Sequence, residues 1–391
     1  MKKLLAIILS VSLIFVLALG VFADTGTNDE AENANLNLDS LNINAKSAVL
    51  MEANTGTLLY AKSANEPLAP ASVTKIMTLL LVAEALESEK IKLDDTILIS
   101  MNASSMGGSQ IFLEEGESMS VEDLLKSTVI ASANDAAVAL AEHVAGSESA
   151  FVKMMNNRAK ELGLTSTSFE NATGLDDTTT SHLTSAYDIA IMSRELIKHD
   201  IILKYSGLWQ DSVRNGDFTL TNTNRLVRYY KGCTGLKTGS TDKAGFCVSA
   251  TAERDGMHLI AVVMGAESRD LRNEAAREML DFGFANYTLY QDPAQALEDV
   301  PVYSGTKDFL TVYSSGFCTL ISKDNNKKIE RRYEIPSYIS APVYAGDKVG
   351  EIIYFLDGKE LGKADITVNE DAEKITVGAL IMRILKNIIV G

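Results

Sequence analysis

Basic residues are in short supply in this chain. Its 391 residues include 36 Lys and Arg against 52 Asp and Glu, a formal net charge of −16. A protein that grips nucleic acid needs a basic face to neutralise phosphates, so that class of partner is excluded. Cysteine is scarcer: Cys233, Cys247 and Cys318 are too few, and odd in number, to frame a fold with disulfides. They read as buried free thiols. The four histidines are scattered and show no metal-ligand spacing, so neither a metal site nor a cofactor is expected. No repeat of fixed period is present. What is there is the composition of a folded protein, 46% hydrophobic and 23% charged, long enough for two domains.

The N-terminus reads MKKLLAIILSVSLIFVLALGVFA, two lysines before an apolar run and small residues before a cut at Ala23. Residues 1–23 are expected to be a secretory signal, with an uncleaved anchor as the other reading; either way the bulk of the chain is exported. Residues 24–45 hold five acids and no base and read as a solvated tether. Around Asn54-Thr55-Gly56, alternating apolar and polar residues predict a hairpin. Helical spacing follows, from Ile76 to Leu86 and through three later segments, one of them broken around Ala131 to Asn134. Strands return between Cys233 and Gly265, then a last helix. Strands that open and close a unit around a helical middle predict an α+β domain over residues 46–287, an antiparallel sheet with a helical cluster. A smaller all-β domain is expected over 298–370. The ending, KITVGALIMRILKNIIVG, predicts an amphipathic helix over 374–391. It is too interrupted to span a bilayer. Its cationic face, with Arg383 and Lys386, suits a membrane surface, and packing on its own domain is the plainer alternative.

Ser-x-x-Lys occurs at Ser72, Ser240 and Ser304, but only Ser72 starts a long helix. A serine hydroxyl is a poor nucleophile until a base takes its proton. Lys75, three residues on, shares its face and can be that base if its pKa is lowered by burial or by a second cation. Lys237, in the only Lys-Thr-Gly of the chain, is a candidate for that cation. The Ser132-Ala133-Asn134 triplet lies at the helix interruption; Ser132 can relay a proton and Asn134 can orient lysine or substrate. N–H groups at the start of the Ser72 helix and along Thr238-Gly239-Ser240 would favour developing negative charge, and Gly239 would let an acyl group approach the backbone.

This order of motifs resembles the serine D-alanyl-D-alanine carboxypeptidase family of low-molecular-mass penicillin-binding proteins. FENATGLDD, HLTSAYDIA, TNTNRLV and GLKTGSTDKAGFCVSA resemble its text as well, so the similarity covers nearly the whole chain after the tether. The resemblance implies a penicillin-binding/β-lactamase-like fold and removal of the terminal D-Ala from peptidoglycan stem pentapeptides through an acyl-enzyme on Ser72. It implies Ser72, Lys75 and Ser132 as catalytic residues, and Asn134, Lys237, Thr238, Gly239 and Ser240 as substrate partners. The N–H groups of Ser72 and Ser240 would form the oxyanion hole, and Arg272 would take the terminal carboxylate. β-Lactams would be inhibitors, and the protein would work at the outer face of the cytoplasmic membrane or in the cell wall. A class A-like β-lactamase is an alternative; its deacylating glutamate would have to be Glu161, which lies in a helical run. A non-hydrolytic β-lactam sensor or wall-binding protein is another. His143, His182 and Asp188 are expected to be structural, and Tyr344 and Tyr354 to pack on the sheet of the β domain.

Overall fold

A computed structural model describes residues 41–176, 179–323 and 328–390. The expected signal segment, residues 1–23, and most of the tether lie outside the described residues. The tether's last residues do not: Leu41 and Ile43 join the core, with Ile43 only 1% exposed. Lys62 Nζ donates to the Ile43 carbonyl at 2.7 Å. Two apolar residues in an otherwise polar text were enough to bring the chain onto the sheet before residue 46.

The hairpin expected at Asn54-Thr55-Gly56 is formed by β1 (Ser47–Glu52) and β2 (Leu58–Lys62). Glu52 closes it, its carboxylate accepting from the N–H groups of Asn54 and Thr55. Three strands from much later in the chain, β3 (Cys233–Thr241), β4 (Gly245–Arg254) and β5 (Met257–Ala266), complete an antiparallel sheet. Its order is β2-β1-β5-β4-β3. The strand bearing Lys-Thr-Gly is therefore an edge, with one side free to meet the helical layer. One face of the sheet is covered by α1 (Lys75–Glu87) and its neighbours, the other by the helix over Arg269–Asn286. Helix α1 is buried on every side, which is why its sequence shows little polar face.

The helical cluster continues with α2 (Val121–Lys126), α3 (Asn134–Ala145), α4 (Glu148–Glu161) and α5 (Ala186–Leu196). Ser120, Ser147 and Ser185 each accept a backbone N–H at the first turn of α2, α4 and α5. Between α2 and α3 the backbone widens into a π-turn over Ser127–Ala131 and then reverses at Ser132, whose φ of 63° is left-handed. Helix α6 (Arg269–Asn286) closes the domain.

The chain then runs into β6 (Tyr287–Asp292), which pairs with β9 (Phe317–Ser322). The all-β part thus begins at the end of α6, ahead of residue 298. Strands β7 (Gln295–Tyr303), β8 (Phe309–Ser314), β10 (Glu330–Glu334), β11 (Ile339–Ser340), β12 (Lys348–Leu356) and β13 (Lys359–Val368) form its six-stranded sheet. Tyr354 is buried, stacked on Phe317 at 4.1 Å, and donates to Asp292 at 2.9 Å. Tyr344, by contrast, is exposed in the turn before β12, and Cys318 is exposed on β9; neither is buried as expected, Tyr344 because it lies outside the strands. The last helix, α7 (Val377–Val390), begins three residues later than expected. Among the described residues no helix is long and apolar enough to cross a membrane.

Candidate active site

Three parts of the chain, far apart in sequence, meet at one cleft. The first is the turn Ala71–Thr74, a single 3₁₀ turn that feeds α1 at Lys75. Side chains three residues apart eclipse in such a turn, so Lys75 Nζ reaches Ser72 Oγ at 3.1 Å. Its other two partners are Asn134 Oδ1 at 2.5 Å and the Thr173 carbonyl at 2.8 Å. The ammonium is wholly buried and, among the described residues, bonds no carboxylate. Burial first, and the charge of Lys237 second, hold its pKa well below that of a free lysine, opposed in part by Asp135.

The second part is the reversal at Ser132. A left-handed non-glycine residue stores strain that local contacts must hold. Here Lys237 Nζ donates to Ser132 Oγ at 2.7 Å, and the Ala133 N–H donates to the Ser127 carbonyl at 3.1 Å. Asn134 is held by both ends of its backbone and amide: its N–H donates to the Ser109 carbonyl and its Nδ2 to the Gly107 carbonyl, both at 2.7 Å. Buried Asp135 accepts from the N–H groups of Ile111 and Leu113 and so ties the same strap down.

The third part is the free edge of β3. Lys237 is fully buried, and burial together with the nearby Arg272 charge lowers its pKa to about 7. A bound carboxylate would raise it again. Thr238 Oγ1 bonds Thr223 Oγ1 at 2.8 Å. At Gly239 a Cβ would stand 2.7 Å from the Ser72 nitrogen and 2.9 Å from that of Val73, so only glycine lets the strand lie against the nucleophile's turn. Ser240 remains within the strand and lines the cleft. Arg272 also lines the cleft, 3% exposed, and donates to Asn273 Oδ1 at 2.9 Å and, more weakly, to the Cys247 carbonyl. The open volume is about 470 Å³.

Ser72, Lys75, Ser132, Asn134, Lys237, Thr238, Gly239, Ser240 and Arg272 are thus all brought together. Ser304 is not: it sits in a turn of the β part, its carbonyl accepting from the Ile375 N–H. Glu161 lies at the C-terminal end of α4, paired with Arg158, which also binds Glu84 on α1 away from Ser72. His182 and Asp188 are structural, as expected. The Glu170 N–H donates to His182 Nδ1, so the proton sits on Nε2, which donates to Thr74 Oγ1 at 2.8 Å. Asp188 accepts from Ser166 and Thr167.

Sequence reasoning overlooked the Thr173 carbonyl, Thr223 and two further cleft arginines, Arg225 and Arg269. The stretches FENATGL and TNTNRLV held the first three, yet backbone acceptors and short polar runs carry no spacing rule. The FENATGL turn is braced by Asn171 Oδ1, which accepts from Thr173 and Gly174. Gly174, at φ +84°, lies so close to the nucleophile's turn that a Cβ would fall 1.8 Å from the Ala71 carbonyl oxygen. We expect Gly174→Ala to push the Thr173 carbonyl off Lys75 and slow penicillin acylation by about tenfold or more. Stopped-flow labelling would measure it, and a wild-type rate would show that this contact does not hold the lysine.

Comparison with known proteins agrees with this geometry. The family model for D-alanyl-D-alanine carboxypeptidases (peptidase S11) matches residues 31–268, and that for the penicillin-binding protein 5 C-terminal domain matches residues 284–374. The chain is 43% identical to D-alanyl-D-alanine carboxypeptidase DacF of Bacillus subtilis, over 96% of this chain and 95% of that one. Penicillin-binding protein 5 from Haemophilus influenzae superposes with a TM-score of 0.74 at 31% identity, covering 85% of this chain and 99% of that one. Penicillin-binding protein D2 from Listeria monocytogenes, solved with ampicillin bound, gives a TM-score of 0.58 at 32% identity, covering 62% and 99%. On these matches, the chain belongs to the D-alanyl-D-alanine carboxypeptidase family of penicillin-binding proteins.

Proposed function

We propose that the chain removes the terminal D-Ala from peptidoglycan stem pentapeptides through an acyl-enzyme on Ser72, and that β-lactams acylate the same hydroxyl. The observation that carries this reading is the convergence of two buried lysines on two serines in one cleft: Lys75 on Ser72 and Lys237 on Ser132. Once neutral, Lys75 keeps two N–H donors for Asn134 Oδ1 and the Thr173 carbonyl, and its lone pair faces Ser72 Oγ. The hydroxyl proton passes to Lys75 as Oγ attacks the penultimate carbonyl carbon. The N–H groups of Ser72 and Ser240 stabilise the oxyanion. Ser132, held by Lys237, passes a proton to the departing amine. Lys237, Thr238 and Arg272 bind the terminal carboxylate. Water then cleaves the ester. The distance of Glu161 from this chemistry supports slow deacylation of β-lactams, against a class A-like β-lactamase; the filled set of partners supports turnover, against a sensor that only acylates.

The protein is exported in this reading, with residues 1–23 as signal and residues 46–287 as the catalytic domain ahead of the β-rich one. Helix α7 supports docking to the outer face of the membrane. Its Arg383 turns back to the β domain, donating to Asp308 at 2.8 Å and the Thr306 carbonyl at 2.7 Å. Ile381, Met382 and Ile384 are left exposed.

Ser72→Ala is expected to abolish labelling by a fluorescent penicillin and release of D-Ala, with Ser304→Ala indistinguishable from wild type; labelling that survives in the Ser72 variant would place the nucleophile elsewhere. Acylation should rise with pH as Lys75 loses its proton, with the rising limb well below the ordinary lysine range. Because Lys237 helps to lower the pKa of Lys75, Lys237→Met should move that limb to higher pH as well as slow the reaction; a limb that stays put would remove Lys75 as the base. Deleting residues 374–391 should move the protein from the membrane fraction to the soluble one. Unchanged fractionation would rule out α7 as the anchor.

A further inference from the structure

The cleft carries more positive charge than a single carboxylate needs. Arg225 and Arg269 line it beside Arg272, and among the described residues no Asp or Glu does. This concentration arises in a chain of net charge −16. Arg214, Arg331 and Arg383 are tied to acids, at Glu117, Asp292 and Asp308. Arg225 and Arg269 are exposed and make no such pair among the described residues. Both lie close enough to Arg272 for their charges to add to burial in lowering its pKa to about 10. Asp270 opposes these charges only in part, and like charges gathered at one wall repel one another, a repulsion that a bound anion relieves.

Their placement is fixed. Asn224, the neighbour of Arg225, donates to the Gly235 carbonyl on β3 at 2.8 Å and accepts from the Leu226 N–H. Arg269 opens α6 after its Ser268 cap and stands one turn before Arg272, on the same helix face. All three arginines share the wall lined by Thr223 and Thr238, while Lys75 is held from the other side by Asn134 and Thr173. In the reaction proposed above, that wall receives the leaving group. Free D-Ala carries one carboxylate, for which Lys237, Thr238 and Arg272 are already assigned.

We infer that Arg225 and Arg269 form a second anion subsite that selects leaving groups bearing a second carboxylate. The inference rests on the carboxypeptidase reading. Two sources share this chemistry: a terminal acidic D-residue, and the neighbouring stem peptide of a cross-link, whose side-chain amine is acylated by D-Ala. In both, Ser72 Oγ bonds to the D-Ala carbonyl carbon, the C–N bond breaks, the serine's proton leaves on the amine, and water cleaves the ester.

The test compares kcat/KM of the full chain for one stem ending in D-Ala-D-Ala, the same stem ending in D-Ala-D-Glu, and a cross-linked dimer. In the Arg225→Ala/Arg269→Ala double variant, kcat/KM for the acidic leaving groups should fall about tenfold more than for D-Ala. Lysine at both positions should keep most of the preference, and about 0.5 M salt should erode it in wild type. A loss shared by the dimer assigns the subsite to cross-links; a loss confined to the D-Glu peptide assigns it to acidic termini. A wild type that processes neither acidic substrate, or a ratio unchanged by substitution, overturns the inference. Should the alanine variant fail to label with penicillin, a wild-type ratio insensitive to salt overturns it instead. A wild type that labels with penicillin but releases no D-Ala would fault the hydrolytic reading, and the subsite is then judged by whether the D-Glu peptide blocks labelling better than the D-Ala peptide.

Discussion

A fully buried ammonium that bonds no carboxylate among the described residues is the constraint around which this molecule is arranged. Lys75 has three acceptors, Ser72 Oγ, Asn134 Oδ1 and the Thr173 carbonyl, all neutral. A carboxylate in place of any of them would hold the amine protonated and useless as a base. Neutral acceptors satisfy its N–H groups while leaving burial and Lys237 to push its pKa down. The folded chain therefore spends stability on a desolvated amine, and the surrounding helices supply it by burying α1 on all sides.

The three acceptors come from separate elements, and each is fixed by a local device. The 3₁₀ turn eclipses Ser72 with Lys75. The left-handed reversal at Ser132 ends one helix and starts another at Asn134, so one short stretch supplies both a hydroxyl and an amide. The Thr173 carbonyl is delivered by a turn braced from within by Asn171 and pressed by Gly174 against Ala71. Gly239 performs the corresponding service for the sheet, where the absence of one carbon sets the distance between the edge strand and the nucleophile. His182, neutral and buried, with a pKa lowered to about 4, ties the FENATGL turn to Thr74 without adding charge to the site.

The hairpin at Asn54-Thr55-Gly56, the helices through residue 196 and the strands after Cys233 were legible because period and turn chemistry are local. Boundaries that depend on partners were not. Ile43 belongs to the core because Tyr60 and the sheet lie beneath it, and β6 belongs to the β part because β9 pairs with it. In the site, residues carrying a motif were found and residues serving through backbone atoms were missed. Arg225 and Arg269 show the same limit: the sequence contains many arginines, and only the fold brings these two to the cleft beside Arg272.

By itself the sequence determined which atoms are available: one serine a helical turn before a lysine, a second serine and an asparagine at a break in periodicity, and a Lys-Thr-Gly on a strand. It determined the sign of the charge and the class of fold as well, because those follow from composition and from spacing along the chain. The tertiary structure alone decided which lysine faces which serine, that the lysines bond neutral acceptors, and how near the strand edge comes to the nucleophile. Proton affinity depends on the distance to other charges and on the water removed around a group, and neither quantity exists until distant segments have packed.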